Sequence, residues 1–360
     1  VLKSDQHAGR LHNMGRTYFL GKNVLERRIM FNKFYPPLIM TNVYCDAAGG
    51  DVLIKKAATF YAALFIGVVS ISFGAIFIRL ADAPAPVVAS LRMIFSTALL
   101  IPWTLRSNAV LIELRKLHRR EAILLILAGL MLALHFMFWI SSLSLTGVSS
   151  SVVFVATNPI FITLFTLTVL KEAVSKTFWA GLIAATIGGA ILGWQDLAAG
   201  DKRWLGDLLA LLGAVSFAAY FLIGSRLRKS LSLLAYIFPV YSVAAIILAA
   251  STLSAGISLT GHGWHSYLYC FLMAVVCQIV GHSIFNWALK HIKATIVAVG
   301  VLGEPVGASI LALIILGEAP TGMAVIGCVV ILIGIFIVTY CNQEFYPNGR
   351  LSPSGREGGQ

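Results

Sequence analysis

Runs of about twenty apolar residues, recurring along most of the chain, narrow most sharply what this polypeptide can become. Ala122–Leu143 and Ala319–Tyr340 contain no Asp, Glu, Lys or Arg. Each has roughly the 20 residues that an α-helix needs to cross about 30 Å of hydrocarbon. Inside lipid no water is present to satisfy a peptide group, so a spanning segment of this length and composition must be helical. The same economy shows in the composition: 58% of the 360 residues are hydrophobic and 12% are charged. A soluble chain carries about 25% charged residues, and this one lacks the polar surface to wet so many apolar segments.

Apolar runs bounded by charge, Gly or Pro predict helices over 58–78, 85–105, 122–143, 148–169 and 176–194, then 205–225, 232–252, 266–288, 294–316 and 320–341. Ten spans place both termini on one side, and the distribution of basic residues says which. With the N-terminus inside, only Arg79, Lys202 and Arg203 of the 27 Lys and Arg residues lie outside, and Arg92 is left within a span. The net charge of +12 is therefore read as cytoplasmic loop charge and not as a nucleic-acid surface. Cys45, Cys270, Cys277, Cys328 and Cys341 are scattered, with no disulfide or zinc pattern. The flanks are polar: 1–56 is expected to be a poorly ordered cytoplasmic tail without a signal peptide, and 342–360 a second disordered cytoplasmic tail. Met40 offers an alternative translation start.

The two halves repeat. Displacing the sequence so that Pro159 falls on Pro305, a shift of 146, also superposes Leu167 on Leu313, Glu172-Ala173 on Glu318-Ala319, Gly181 on Gly327 and Ile187-Gly188 on Ile333-Gly334. Ser96 falls on Ser242, and a slightly different shift pairs Ser72-Phe73 with Ser216-Phe217. Apolar coincidences come easily in such a biased sequence; ungapped agreement of Pro, Glu and Gly does not. Repeats over 57–196 and 203–341, each of five spans, must insert with opposite topology. The expected fold is thus an all-α integral membrane protein, ten transmembrane helices arranged as two inverted five-helix repeats. Such halves can exchange conformations around a central site, which is the geometry of alternating access.

The segment Ala89-Ser90-Leu91-Arg92, the run from Leu134 through Trp139 to Leu143, the phrase Leu302-Gly303-Glu304-Pro305-Val306-Gly307, and the span-ending Lys171-Glu172 and Gly317-Glu318 resemble the EamA-like family of the drug/metabolite transporter superfamily. The resemblance covers residues 58 to 341. It implies a ten-helix fold and transport, often export, of amino acids or other small metabolites. The long N-terminal tail departs from that family's usual short start.

Polar groups at membrane depth are costly and mark candidate sites. Glu304 sits near the middle of its span, its repeat partner is Asn158, and each immediately precedes a proline, Pro305 and Pro159. A proline removes a helical hydrogen bond and bends the helix, leaving the spot polar and locally open. Glu304 is expected to bind a proton or a cationic substrate group, or else to serve as a structural clasp on an Arg or the backbone. Arg92 can hold a substrate carboxylate, pair with an acid such as Glu304, or snorkel outward. Its repeat partner is Phe238, so symmetry breaks there. His135, Trp139 and Ser142, spaced four and three, share one helical face, as do Gln278, His282 and Asn286, spaced four and four. Both stripes are expected to face the bundle interior, lining a cavity or bonding helix to helix, with Tyr220 and Trp139 as apolar walls.

Gly189 with Gly193 and Gly303 with Gly307 fit close helix packing. His262 and His265 alone do not make a metal site. Glu172 and Glu318 read as helix-end and hinge residues. With no phosphate loop and no nucleophile motif, the sequence points to a secondary transporter of a small polar metabolite, proton coupling through Glu304 being the expected energy source and no other cofactor being implied. The expected partners are the small-molecule substrate and the bilayer of the cell membrane, with no nucleic acid, and the carrier is a monomer or homodimer. The rival reading is an intramembrane enzyme on a lipid or lipid-linked substrate, recruiting His135, His282 and Glu304; a passive channel is the third.

Overall fold

The computed structural model describes residues 50–146, 148–171, 173–197, 203–317 and 319–341. The expected terminal tails fall almost wholly outside these residues, as do Glu172 and Glu318. Every regular element among the described residues is a helix, and none is a strand. Helices α1 (Gly50–Leu80), α2 (Ala85–Arg106), the short α3 (Asn108–Arg115) and α4 (Arg119–Ser142) open the chain. α5 (Val148–Val155), α6 (Asn158–Phe165) and α7 (Lys176–Leu197) complete the first half. The second half holds α8 (Arg203–Leu227), α9 (Leu233–Ser254), α10 (Trp264–Leu272), α11 (Ser283–Ala288), α12 (Ala294–Val301), α13 (Glu304–Leu311) and α14 (Gly322–Cys341). A π-helical stretch, Met273–His282, joins α10 to α11 without a break.

Local chemistry sets the helix ends. The Ser107 side chain accepts from Val110 N to start α3, and that of Ser232 accepts from Ala235 N to start α9. Glu121 Oε2 accepts from His118 N at the start of α4. These bonds satisfy backbone groups that a helix end leaves unpaired. Pro86 lies in the first turn of α2, where a missing N–H costs nothing.

Eight helices among the described residues are long and apolar enough to cross a membrane. Ten were expected. The two segments that fall short are 148–170, interrupted at Ala156-Thr157, and the helix beginning at Lys176. The outward surface is strongly apolar and the apolar core encloses polar groups: Phe65, Ile246 and Ile314 are 69%, 68% and 72% exposed, whereas Arg92, Gln278 and Asn286 are buried. That arrangement is what a hydrocarbon solvent demands.

The 146-residue repeat is visible in the backbone. α5 and α6 are separated by a turn at Ala156-Thr157, and α12 and α13 by one at Leu302-Gly303. Each second half-helix then runs into a π turn, Thr166–Leu170 or Ala312–Leu316, and ends in a left-handed residue, Lys171 (φ 55°) or Gly317 (φ 69°). α7 and α14 start at Lys176 and Gly322, the same offset again.

The halves interlock. α7 lies along α14, α4 along α8, and α2 along α9. Between α7 and α14 the backbones touch at repeat-related glycines. A methyl group on Gly334 would sit 2.6 Å from Gly181 O, and one on Gly188 would sit 2.7 Å from Gly327 O. Of the glycines read from spacing, Gly303 and Gly307 pack on Val68 and Ser72 of α1, but Gly189 has open space beside it. The close α7–α14 contact uses Gly181 and Gly188 instead.

Candidate functional site

A cavity in the helix bundle is lined by Arg92 from α2, His135 and Trp139 from α4, Val152, Val155 and Ala156 from α5 and its end, Asn158 from α6, and Ile71 and Phe217 from α1 and α8. His282, Phe285, Val301, Glu304 and Pro305 complete it from the second half. Its volume is about 30 Å³, counted as space open to the centre of a water molecule. A water needs about 10–15 Å³ by that measure, so in this conformation the cavity has room for a few waters but not for a metabolite.

The lining has the symmetry of the fold. Trp139 and Phe285, Val155 and Val301, and Asn158 and Glu304 are repeat-related pairs, each separated by 146 residues. The cavity therefore lies where the two repeats meet. Its guanidinium and imidazole groups lie where the pairing fails. The counterparts of Arg92, His135 and His282 are Phe238, Gly281 and Phe136, none of which lines the space.

Asn158 and Glu304 occupy the cavity because their spans break. Pro159 and Pro305 each sit in the first turn of a restarted helix, α6 and α13, following the turns at Ala156-Thr157 and Leu302-Gly303. Proline is tolerated there and not further in. Asn158 Nδ2 donates to Val155 O at 3.0 Å, while its Oδ1 is buried without a partner. The Glu304 side chain makes no hydrogen bond or ion pair with a described residue; its backbone carbonyl accepts from Ser72 Oγ at 3.3 Å.

Arg92 is 1% exposed. Its Nε and Nη2 donate to Gln278 Oε1 at 3.1 and 2.9 Å, and its guanidinium lies 4.1 Å from the Phe136 ring centroid. It thus neither snorkels nor comes within 4 Å of the Glu304 carboxylate. The Phe136 ring face and the amide oxygen supply the compensation that such a buried cation requires. His135 Nδ1 bonds Gly213 O at 3.0 Å, and its ring stacks on Trp139 at 5.9 Å. Trp139 Nε1 is buried without a partner. His282 is framed by Phe136 and Phe217.

Other expected site residues bond helix to helix outside the lining. Ser142 Oγ meets Ser151 Oγ at 2.5 Å, and Asn286 Nδ2 donates to Tyr220 Oη at 2.6 Å and to His282 O at 2.8 Å. The Gln278, His282, Asn286 stripe is thereby split, with only His282 on the cavity. Phe217, Phe285 and Phe136 were not anticipated as site residues. Phe285 was recoverable from the repeat, as the partner of Trp139. Arg228, counted with the loop cations, is instead buried, with Nε donating to Asn286 O at 3.0 Å and Nη1 to Leu231 O. No group of three or more metal-ligating side chains occurs among the described residues.

The sequence pattern of the EamA-like transporter family matches residues 58–194 and again 204–340. An uncharacterized transporter of Clostridium kluyveri is 27% identical over 211 residues, 55% of this chain and 66% of its own, so the match spans just under two thirds of that relative. The uncharacterized transporter YwfM of Bacillus subtilis is 25% identical over 219 residues, 60% of this chain and 73% of its own. One crystal structure, described only as that of a protein, shares the fold with a TM-score of 0.65 at 19% identity, over 79% of this chain and 97% of that one.

Proposed function

The chain belongs to the EamA-like transporter family, and on that premise we propose that it is a secondary transporter exporting a small polar metabolite by alternating access. The observation that carries this is the cavity lined by repeat-related pairs. A site shared by two like halves is the place around which rocking can expose a solute first to one side and then to the other. The cavity has no room for a metabolite in this conformation, so binding requires the halves to part.

In this reading ten helices cross the membrane, the segments 148–170 and 176–197 joining the eight longer ones. The 22 residues of α7 are enough for a crossing. Segment 148–170 has the same interruption as its repeat partner Ala294–Leu316, which is long and apolar enough to cross. The halves are then inverted, both termini are cytoplasmic, and the carrier works in the cell membrane as a monomer or homodimer without nucleic acid. Arg92 receives an anionic group of the solute through its donor fork. Trp139 Nε1 and Asn158 Oδ1, buried and unpartnered, offer it one donor and one acceptor. Glu304 takes and releases the coupling proton, no other cofactor being required, because a carboxyl without a protein partner at that depth trades its charge against its solvation.

The test is solute flux in proteoliposomes loaded with amino acids, nucleosides, nucleobases and small carboxylates, with and without a pH gradient. Saturable efflux that follows the gradient in the wild type, and is gradient-independent in Glu304→Gln, is expected. Flux indifferent to the gradient with a fully active Glu304→Gln refutes proton coupling. No flux of any solute by folded protein turns the reading towards a lipid substrate.

A further inference from the structure

Arg92 holds its charge in an unusual way. No carboxylate lies within ion-pair distance of it among the described residues. Its side edge, Nε with Nη2, is taken by the neutral Gln278 amide oxygen. Its end-on edge is different: Nη1 makes no hydrogen bond to a described residue, and Arg92 borders the cavity. Gln278 is fully buried, and satisfying Arg92 leaves its own Nε2 without a partner. Turning the amide over would set donors against donors, so the guanidinium itself dictates that the oxygen faces it.

Stability alone would favour an acid at this position. A carboxylate would accept both Arg92 bonds, neutralise a buried cation and leave no orphaned N–H. The chain keeps the amide, and it keeps it in a distorted stretch of helix. Gln278 lies in the π-helical segment Met273–His282, where its backbone carbonyl accepts from Ser283 N and Ser283 Oγ (3.3 Å) and from Tyr241 Oη (3.5 Å). π-helix is rare and mostly confined to single turns, which recur at functional sites; this run is ten residues long. Here the wider winding is pinned at the residue whose side chain holds Arg92.

We propose that Gln278 is a specificity-determining positioning residue: it fixes the side edge of Arg92 with a neutral acceptor, so that the end-on edge and the whole positive charge remain for a carboxylate on the transported solute. This rests on the reading of Arg92 as the solute's anion site. Gln278 itself touches no solute. The other titratable groups on the cavity, His135, His282 and Glu304, face the same space from α4, the π segment and α13, and none of them bonds the guanidinium.

The experiment is uptake by full-length protein in proteoliposomes of lactate, pyruvate, propionate and benzoate, each beside its uncharged carboxamide, for the wild type, Arg92→Gln, Gln278→Glu and Gln278→Leu. Thermal unfolding in detergent checks each variant's fold. The wild type should prefer at least one carboxylate over its amide. Arg92→Gln and Gln278→Glu should each raise the carboxylate KM tenfold or more, keep the maximal rate within about twofold, and abolish the preference. Gln278→Leu, which frees the guanidinium without neutralising it, should raise KM about threefold and keep the preference.

If Arg92→Gln loses the carboxylate while Gln278→Glu retains KM and preference, the role of Gln278 is refuted and that of Arg92 stands. If Arg92→Gln behaves as the wild type, or the wild type takes up no carboxylate, the anion site itself falls and this proposal with it. Should Gln278→Glu not fold, an unchanged KM in Gln278→Leu refutes the positioning role on its own.

Discussion

Replacing Gly334 by alanine tests whether α7 and α14 meet backbone to backbone. The added methyl carbon would lie 2.5 Å from Ala185 N, 2.6 Å from Gly181 O and 2.7 Å from Ala185 Cβ. Ordinary contacts begin near 3.4 Å, so each falls short by about 0.7–0.9 Å. Two of the three obstacles are main-chain atoms of a facing helix, which cannot rotate away as a side chain can. The helices must separate, and a gap of 0.5–1 Å forfeits about a quarter to a half of each neighbouring contact. Overpacking of this kind costs about 1–3 kcal/mol, and a backbone obstacle belongs at the upper end. Alanine recovers up to about 1 kcal/mol of helix propensity over glycine, so a net loss of about 2 kcal/mol is expected for Gly334→Ala. Gly189 on α7 is the matched control, because nothing lies within 4 Å of a methyl built there. Gly189→Ala should gain up to about 1 kcal/mol. Unfolding both variants in the same detergent, by heat or denaturant, should therefore separate them by about 3 kcal/mol. A Gly334→Ala protein as stable as Gly189→Ala would refute the packing argument outright.

Two further outcomes are expected. Trp139→Phe keeps an aromatic wall on the cavity but removes the unpartnered Nε1 donor; a neutral hydrogen bond is worth about 1 kcal/mol, so KM for the transported solute should rise about fivefold at an unchanged maximal rate. At the repeat-related left-handed positions, Gly317→Ala should destabilise by about 1 kcal/mol and Lys171→Gly should stabilise by up to about 1 kcal/mol in the same unfolding assay, because a side chain at positive φ is strained and glycine is not.

Much of the architecture could be read before any coordinates. Helices α2, α4, α7, α8, α9 and α14 begin and end within about three residues of apolar runs marked only by charge, Gly and Pro. The shift that laid Pro159 on Pro305 also lays the turn at Ala156-Thr157 on that at Leu302-Gly303, and Lys171 on Gly317. Where spacing left alternatives open, a partner out of sight decided. Gln278, His282 and Asn286 share a face, and of the two roles open to them, lining a cavity or bonding helix to helix, Arg92 gives the second to Gln278 and Tyr220 gives it to Asn286. Arg228 was counted as a loop cation because it follows a span; its carbonyl partners come from Asn286, far along the chain, and Leu231.

What the sequence determined by itself is everything a single helix settles alone. In hydrocarbon each span must satisfy its own backbone, so its length, its ends and the prolines that interrupt it follow from its own residues. Repetition of those residues then implies repetition of the fold, and places Asn158 and Glu304 at matching depths. The tertiary structure alone decided which buried polar groups answer one another and which are left facing the cavity. A side chain at membrane depth needs a partner, and a neighbouring helix or a cavity can supply one. For Arg92 it was Gln278 on one edge and open space on the other, a choice made by how two repeats pack.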